Sequence, residues 1–208
     1  VKHRFDVVFE IDGRIDGFAV YGIEGGWDLN RPAKTVVLRD LVAATPEAEA
    51  ALWRFLCDVD LTTKITAIRV PIDLDLPWLL TDGRQMRTTM LSDFLWLRPI
   101  DVAAFLGART YATTGRLVLD VLDPSRPDGA AAGRFVLDGG TDGAECTRTE
   151  DQPDLVLDVA VLGAISLGAI SPTALARAGR IEERAPGSVS IATGLFGAAR
   201  EPYNFTWF

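Results

Sequence analysis

The sequence predicts an α/β (α+β) protein built from mixed sheets layered with helices, and three observations lead there. Two alternating apolar and polar segments meet at Asp12-Gly13, a dipeptide that accepts the positive φ angles of a tight hairpin. A single amphipathic helix then stands between two strand-like segments, the order that lays a helix on a sheet. The later half repeats this mixture, with short alternating segments at Gly- and Pro-rich turns followed by helical patterns.

The elements follow in order. Residues 4–11 and 16–23 form the opening hairpin, and Gly25-Gly26 ends it. A third strand spans 35–43. Thr45 then offers a side-chain oxygen to the unbonded N–H groups of a helix start, and Pro46 suits the first helical position because an N–H there has no partner to lose. Ala48, Ala51, Leu52, Phe55, Leu56 and Val59 recur at three-and-four spacing and give this helix one apolar face. Strand 64–70 follows.

A second unit begins near Pro99, after the strand-like Phe94-Leu95-Trp96-Leu97, with a short helix through Val102, Phe105 and Leu106. Strand 116–122, the turn-rich loop 124–129 and strand 133–137 make another hairpin. The glycine-rich turn 139–143 leads into a strand around Cys146, and 155–161 adds a further strand. Ser171-Pro172 opens a helix that Gly179 stops, and a last helix starts near Pro186. The domains are therefore expected at 1–98 and 99–208.

A chain of 208 residues with 48% hydrophobic content can bury one large core or two small ones. Charged residues interrupt every apolar run before the roughly 18 residues of a membrane span, so no membrane partner is expected. Val1-Lys2-His3-Arg4 has neither an initiator methionine nor the apolar stretch of a signal peptide, and reads as a strand entered in mid-domain with sequence missing upstream. The net charge of -8 argues against a nucleic-acid surface and suits a cationic small acceptor. Cys57 and Cys146 form no C-x-x-C, so neither zinc nor a disulfide framework is expected, and His3 as the only histidine removes Ser-His and Cys-His catalysis.

Other motifs have plain structural readings. The tandem Leu162-Gly163-Ala164-Ile165-Ser166 and Leu167-Gly168-Ala169-Ile170-Ser171 lacks the Lys, Arg or Gln of a phosphate cradle, so close backbone packing is expected. Asp73 and Asp75 read as a solvated turn rather than an acid–base pair, and Trp53, Trp78 and Trp96 as core.

Leu41-Val42-Ala43-Ala44-Thr45-Pro46-Glu47-Ala48, Leu52-Trp53-Arg54-Phe55-Leu56 and Leu76-Pro77-Trp78-Leu79-Leu80-Thr81-Asp82 precede Asp93-Phe94-Leu95-Trp96-Leu97-Arg98-Pro99-Ile100-Asp101-Val102. Then come Asp154-Leu155-Val156-Leu157-Asp158-Val159, Leu162 to Gly168, and Ala174-Leu175-Ala176-Arg177-Ala178-Gly179-Arg180. In this order they resemble the enhanced intracellular survival (Eis) family. The first set resembles its second, degenerate acetyltransferase-like (GNAT) domain, and the last its sterol-carrier-protein-like domain.

The resemblance implies the carboxyl-terminal portion of a bacterial, cytoplasmic N-acetyltransferase. Its cofactor, acetyl-CoA, belongs to an N-terminal domain outside this chain, and its acceptors are cationic amines of aminoglycoside or lysine type. It also implies a homo-oligomer, a hexamer. The pyrophosphate signature R/Q-x-x-G-x-G/A is absent here, so the chain alone is expected to be inactive. Tyr21, Tyr111 and Tyr203 inherit no acid role. The family's terminal main-chain carboxylate maps to Phe208, with Trp207 and Phe208 at the acceptor; where the family often has an acidic residue before the end, this chain has Trp207. A contrasting function is a non-catalytic, sterol-carrier-like lipid-binding or assembly module.

Overall fold

Asp12 and Gly13 adopt φ of 52° and 78°, and the tight turn they make pairs β1 (Phe5–Ile11) with β2 (Arg14–Asp28). Leu29 and Asn30, at φ 42° and 65°, make a second such turn into β3 (Arg31–Ala43). The computed structural model describes residues 3–204, and these fall into two units. One reaches Leu91 and takes in Tyr203 and Asn204; the other is Ser92–Pro202.

The first unit is a four-stranded sheet in the order β1-β2-β3-β4. Its first three strands are antiparallel, and β4 (Thr62–Ala67) returns parallel to β3 after helix α1 (Pro46–Cys57). The hairpin does not end at Gly25-Gly26. The ladder continues through Gly25↔Lys34 and Trp27↔Pro32, and Gly25 at φ 90° lies so close to the Ala33 carbonyl that a Cβ would stand 2.7 Å from its oxygen. Glycine here permits close approach of two strands rather than stopping one.

Helix α1 starts as its residues dictate, with the Thr45 hydroxyl accepting the Ala48 N–H at 3.1 Å. Leu52, Trp53 and Leu56 are buried against Ala19, Tyr21, Val36 and Leu38 of the sheet, at about 1.5–3 kcal/mol for each aliphatic side chain removed from water. Phe55 sits at the rim, its ring edge-on to Tyr21 at 6.0 Å. Strand β4 stops at Ala67, short of the expected residue 70, because Arg69 turns into the left-handed region at φ 55°. The short helix α2 (Leu76–Leu79) and a 3-10 turn (Gly83–Gln85) follow.

In the second unit, α3 (Val102–Gly107) leads to β5 (Gly115–Leu122), β6 (Gly133–Gly140), β7 (Gly143–Arg148) and β8 (Leu155–Asp158). Helices α4 (Val159–Ile165) and α5 (Pro172–Arg177), strand β9 (Ile181–Glu183) and helix α6 (Ser188–Phe196) complete it. The sheet runs β7-β6-β5-β8-β9, with only β5 and β8 parallel. The strand expected over 155–161 ends at Asp158, whose carboxylate accepts the Ala160 N–H at 2.7 Å and starts α4 instead. The strand expected at 94–97 does not form, because no described strand lies beside it to complete a ladder. Phe135, Leu162, Ile165, Leu195 and Phe196 are buried together between sheet and helices.

The first half of the tandem repeat lies in α4, where Gly163 packs directly on the Leu97 carbonyl with no room for a Cβ. Gly163→Ala is therefore expected to destabilise the chain by about 1–3 kcal/mol through backbone displacement. Gly26→Ala, where nothing lies within 4 Å, is expected to stay within about 0.5 kcal/mol. Thermal denaturation of both variants checks the difference.

Candidate functional site

The two residues to which the sequence assigns the acceptor, Trp207 and Phe208, lie outside the described residues. The chain just before them meets the first unit. The Tyr203 hydroxyl donates to the main-chain carbonyl of Arg69, just past the end of β4. Tyr203 remains 42% exposed, yet burial pushes its pKa upward, the Asp40 carboxylate adds to the shift and the Arg69 guanidinium opposes it. The hydroxyl therefore stays a donor at neutral pH.

Carboxylates elsewhere are committed to the fold. Asp16 in β2 is buried and gripped by the Arg14 fork at 2.7 and 2.8 Å; that bond holds its carboxyl below the ordinary range. Asp123 is 4% exposed at the end of β5. Nη2 of Arg98 donates to both its oxygens at 2.7 Å, and the N–H groups of Ser125 and Arg126 donate at 3.2 Å. Burial pushes the Asp123 pKa up, but Arg98 and the two N–H groups together bring it below the ordinary value. The adjoining cleft, lined by Arg98, Pro99, Ile100 and Arg126, holds about 70 Å³, far less than the roughly 300 Å³ of a small-ligand pocket. Asp73 is half-buried and Asp75 exposed before α2, so the sequence pair does not share one environment.

Helix starts are the usual seats for a pyrophosphate, and those of α1, α3 and α4 are already capped by side chains. Thr45 occupies the start of α1, where Pro46 removes an N–H and Glu47 and Glu49 add negative charge. The carboxylates of Asp101 and Asp158 accept the first N–H groups of α3 and α4. An incoming polyanion would meet carboxylates at these positions, so these residues do not fit the cofactor's phosphates.

No other nucleophile or acid stands ready among the groups singled out. The Tyr111 hydroxyl is spent on the Leu106 carbonyl at 2.9 Å and burial pushes its pKa further up. Burial also pushes the Cys146 thiol up to about 11, so it stays protonated and unreactive. Among the described residues no His, Cys, Asp and Glu cluster could hold a metal, and no helix is long and apolar enough to cross a membrane.

Comparison with known proteins fits both units. Residues 2–99 match the acetyltransferase (GNAT) domain family and residues 102–204 the sterol carrier protein domain family. An uncharacterized N-acetyltransferase of Streptomyces griseus is 44% identical over 194 residues, covering 92% of this chain and 46% of that protein. N-acetyltransferase Eis of Mycobacterium tuberculosis is 39% identical over 169 residues, covering 81% of this chain and 39% of that protein. The crystal structure of Eis1 from Mycobacterium abscessus superposes with a TM-score of 0.79 at 36% identity, covering 92% of this chain and 48% of that one. Both units are thus similar to Eis-type N-acetyltransferases. The chain spans less than half the length of these relatives.

The structure brings forward three groupings that the motifs above do not single out. Arg14 and Asp16 were legible, because an i, i+2 pair in a strand shares one face. Arg98 and Asp123 are 25 residues apart and carried no local signal. Tyr203 gains its role only from a carbonyl 134 residues away.

The Asp123 pairing makes a pH-dependent contribution to stability. Its folded pKa lies below the unfolded value, so the contribution is full above about pH 4 and is lost as pH falls through the lower folded pKa. Asp123→Asn is expected to lower the melting temperature clearly at pH 7, with the gap to the parent narrowing as pH falls below 4. Differential scanning calorimetry across that range checks it.

Proposed function

We propose that this chain is the carboxyl-terminal portion of an acetyl-CoA-dependent N-acetyltransferase acting on amines of cationic acceptors, of aminoglycoside or lysine type. An N-terminal acetyltransferase domain of the same protein binds acetyl-CoA. This chain supplies the terminal carboxylate of Phe208, with Trp207 beside it at the acceptor, and the protein works as a hexamer. The observation that carries this reading is the identity of 39–44% that runs across both units to relatives named N-acetyltransferase and more than twice as long. The occupied helix starts support the placing of the cofactor elsewhere.

The chemistry required of the carboxylate is demanding. A free terminal carboxyl has a pKa near 3.5 and an alkylammonium one near 10, so direct proton transfer in water is uphill by about 9 kcal/mol. Desolvation beside aromatic rings narrows that gap, and a cation held against the carboxylate passes its proton through water as the amine attacks the thioester. Position then matters more than intrinsic basicity.

Two measurements test the reading. Titration calorimetry of this chain with acetyl-CoA is expected to show no binding; a micromolar Kd, about -8 kcal/mol, would overturn the assignment of the cofactor to the N-terminal domain. Extending full-length protein by one glycine after Phe208 moves the charge by up to about 3.8 Å and replaces the anion with an amide. Turnover is expected to fall by at least tenfold with folding and assembly unchanged, and equal turnover numbers would remove the carboxylate from the mechanism.

A further inference from the structure

The segment between α3 and β5 carries an arginine that the fold holds in place without pairing its charge. Arg109 stands just beyond Gly107, the end of α3, and its guanidinium carbon lies 4.8 Å from the centre of the Tyr111 ring and 5.6 Å from that of Phe196. The two rings are set edge to face, and the Tyr111 hydroxyl is tied to the Leu106 carbonyl. Nη1 of Arg109 donates to the main-chain carbonyl of Ser166, the residue that caps the end of α4, and Nε to the Thr110 carbonyl at 3.4 Å. Nη2 has no acceptor among the described residues, and none of their carboxylates pairs with this guanidinium. A guanidinium keeps its charge at any physiological pH. A half-buried cation therefore stands here with part of its donor fork unused.

Beside it runs an open groove of about 410 Å³, lined by Phe105, Ala108, Arg109, Ser166 and Leu167. That volume falls in the range of small-ligand sites, about 300–1,000 Å³. The Ser166 hydroxyl is buried and donates to the Leu162 carbonyl, so it offers the groove nothing. The polar lining comes down to Arg109, and the apolar lining to Phe105, Ala108 and Leu167. Leu167 opens the second half of the tandem repeat and is 43% exposed. Gly168 after it takes φ 90° and packs so closely that a Cβ would stand 2.5 Å from that of Ala198, so the turn presenting Leu167 is firmly seated. We propose that this groove binds a carboxylate with an apolar body, the anion on the free edge of Arg109 and the body along Phe105, Ala108 and Leu167. One planar guanidinium matches one planar carboxylate, whereas a phosphate dianion would leave charge uncompensated in an apolar groove. At about 30 Å³ for each water-sized group the groove holds on the order of a dozen, the size of decanoate. The site lies within the second unit and is independent of the terminal carboxylate. It also differs from a carrier's enclosed lipid cavity, being an open groove that selects for an anion.

Titration calorimetry of the purified chain with decanoate, kept below its micelle-forming concentration, tests the assignment. Saturable binding at one site is expected. Each methylene taken from water is worth about fourfold in affinity, so octanoate is expected to bind on the order of tenfold more weakly. Decanol keeps the apolar chain and lacks the anion, and is expected to bind at least about tenfold more weakly than decanoate, the worth of a hydrogen bond to a charged group. Arg109→Gln is expected to bring decanoate down to the level of decanol and to leave decanol unchanged. Because Arg109 also packs on two rings, a second variant avoids the core: Leu167→Glu alters an exposed side chain, keeps the arginine and puts a competing carboxylate in the groove. It is expected to weaken decanoate at least about tenfold with an unaltered melting temperature. Absence of saturable decanoate binding to the parent chain would overturn the proposal. So would equal binding of decanoate and decanol, or decanoate binding that neither substitution weakens, since both would place the fatty acid on apolar surface elsewhere. If Arg109→Gln fails to fold, Leu167→Glu decides alone: weakened binding supports the site and equal binding overturns it.

Discussion

A carboxylate removed from water must be paired, and Asp123 imposes that condition on the second unit. It directly follows β5, the central strand of the sheet, and its two oxygens are held by Arg98. Arg98 comes from the extended segment before α3, so the pairing draws that segment across the end of the sheet. The neighbouring Leu97 carbonyl is thereby set against Gly163, and the seat of α4 follows. A segment with no ladder of its own is fixed by one ion pair and one glycine.

The same economy governs the helix starts. Thr45, Asp101 and Asp158 each place a side-chain oxygen on the first free N–H groups of a helix. Such caps stabilise each helix by about 1 kcal/mol, and they also occupy the groups a phosphate would need. In a fold related to acetyltransferases this has a functional meaning. The first unit keeps the sheet and the helix laid upon it while its helix start carries Glu47 and Glu49 where a cofactor would bring further negative charge.

The last described residues add a second theme, that of a contact between distant parts of the first unit. The Tyr203 hydroxyl donates to the Arg69 carbonyl, just past the end of a sheet whose register is set by three ladders. The left-handed turn at Arg69 is the local irregularity that makes a main-chain acceptor available there.

Sequence by itself determined the features that local chemistry controls. The turn at Asp12-Gly13, the cap at Thr45-Pro46, the apolar face of α1 and the hairpin of β5 and β6 all follow from neighbours in the chain, since φ preferences and periodicity act over a few residues. It also determined the mixed α/β (α+β) class. Tertiary structure alone decided the rest. Gly25-Gly26 looked like a stop, yet a close strand turned it into a crossing point; Phe94 to Leu97 looked like a strand, yet no partner strand came beside it; and 155–161 divided at Asp158 when its carboxylate found the Ala160 N–H. The pairing of Arg98 with Asp123 and the contact of Tyr203 with Arg69 join residues 25 and 134 positions apart. No periodicity spans such distances, because these contacts exist only after the sheets have formed and burial has made an unpaired polar group costly.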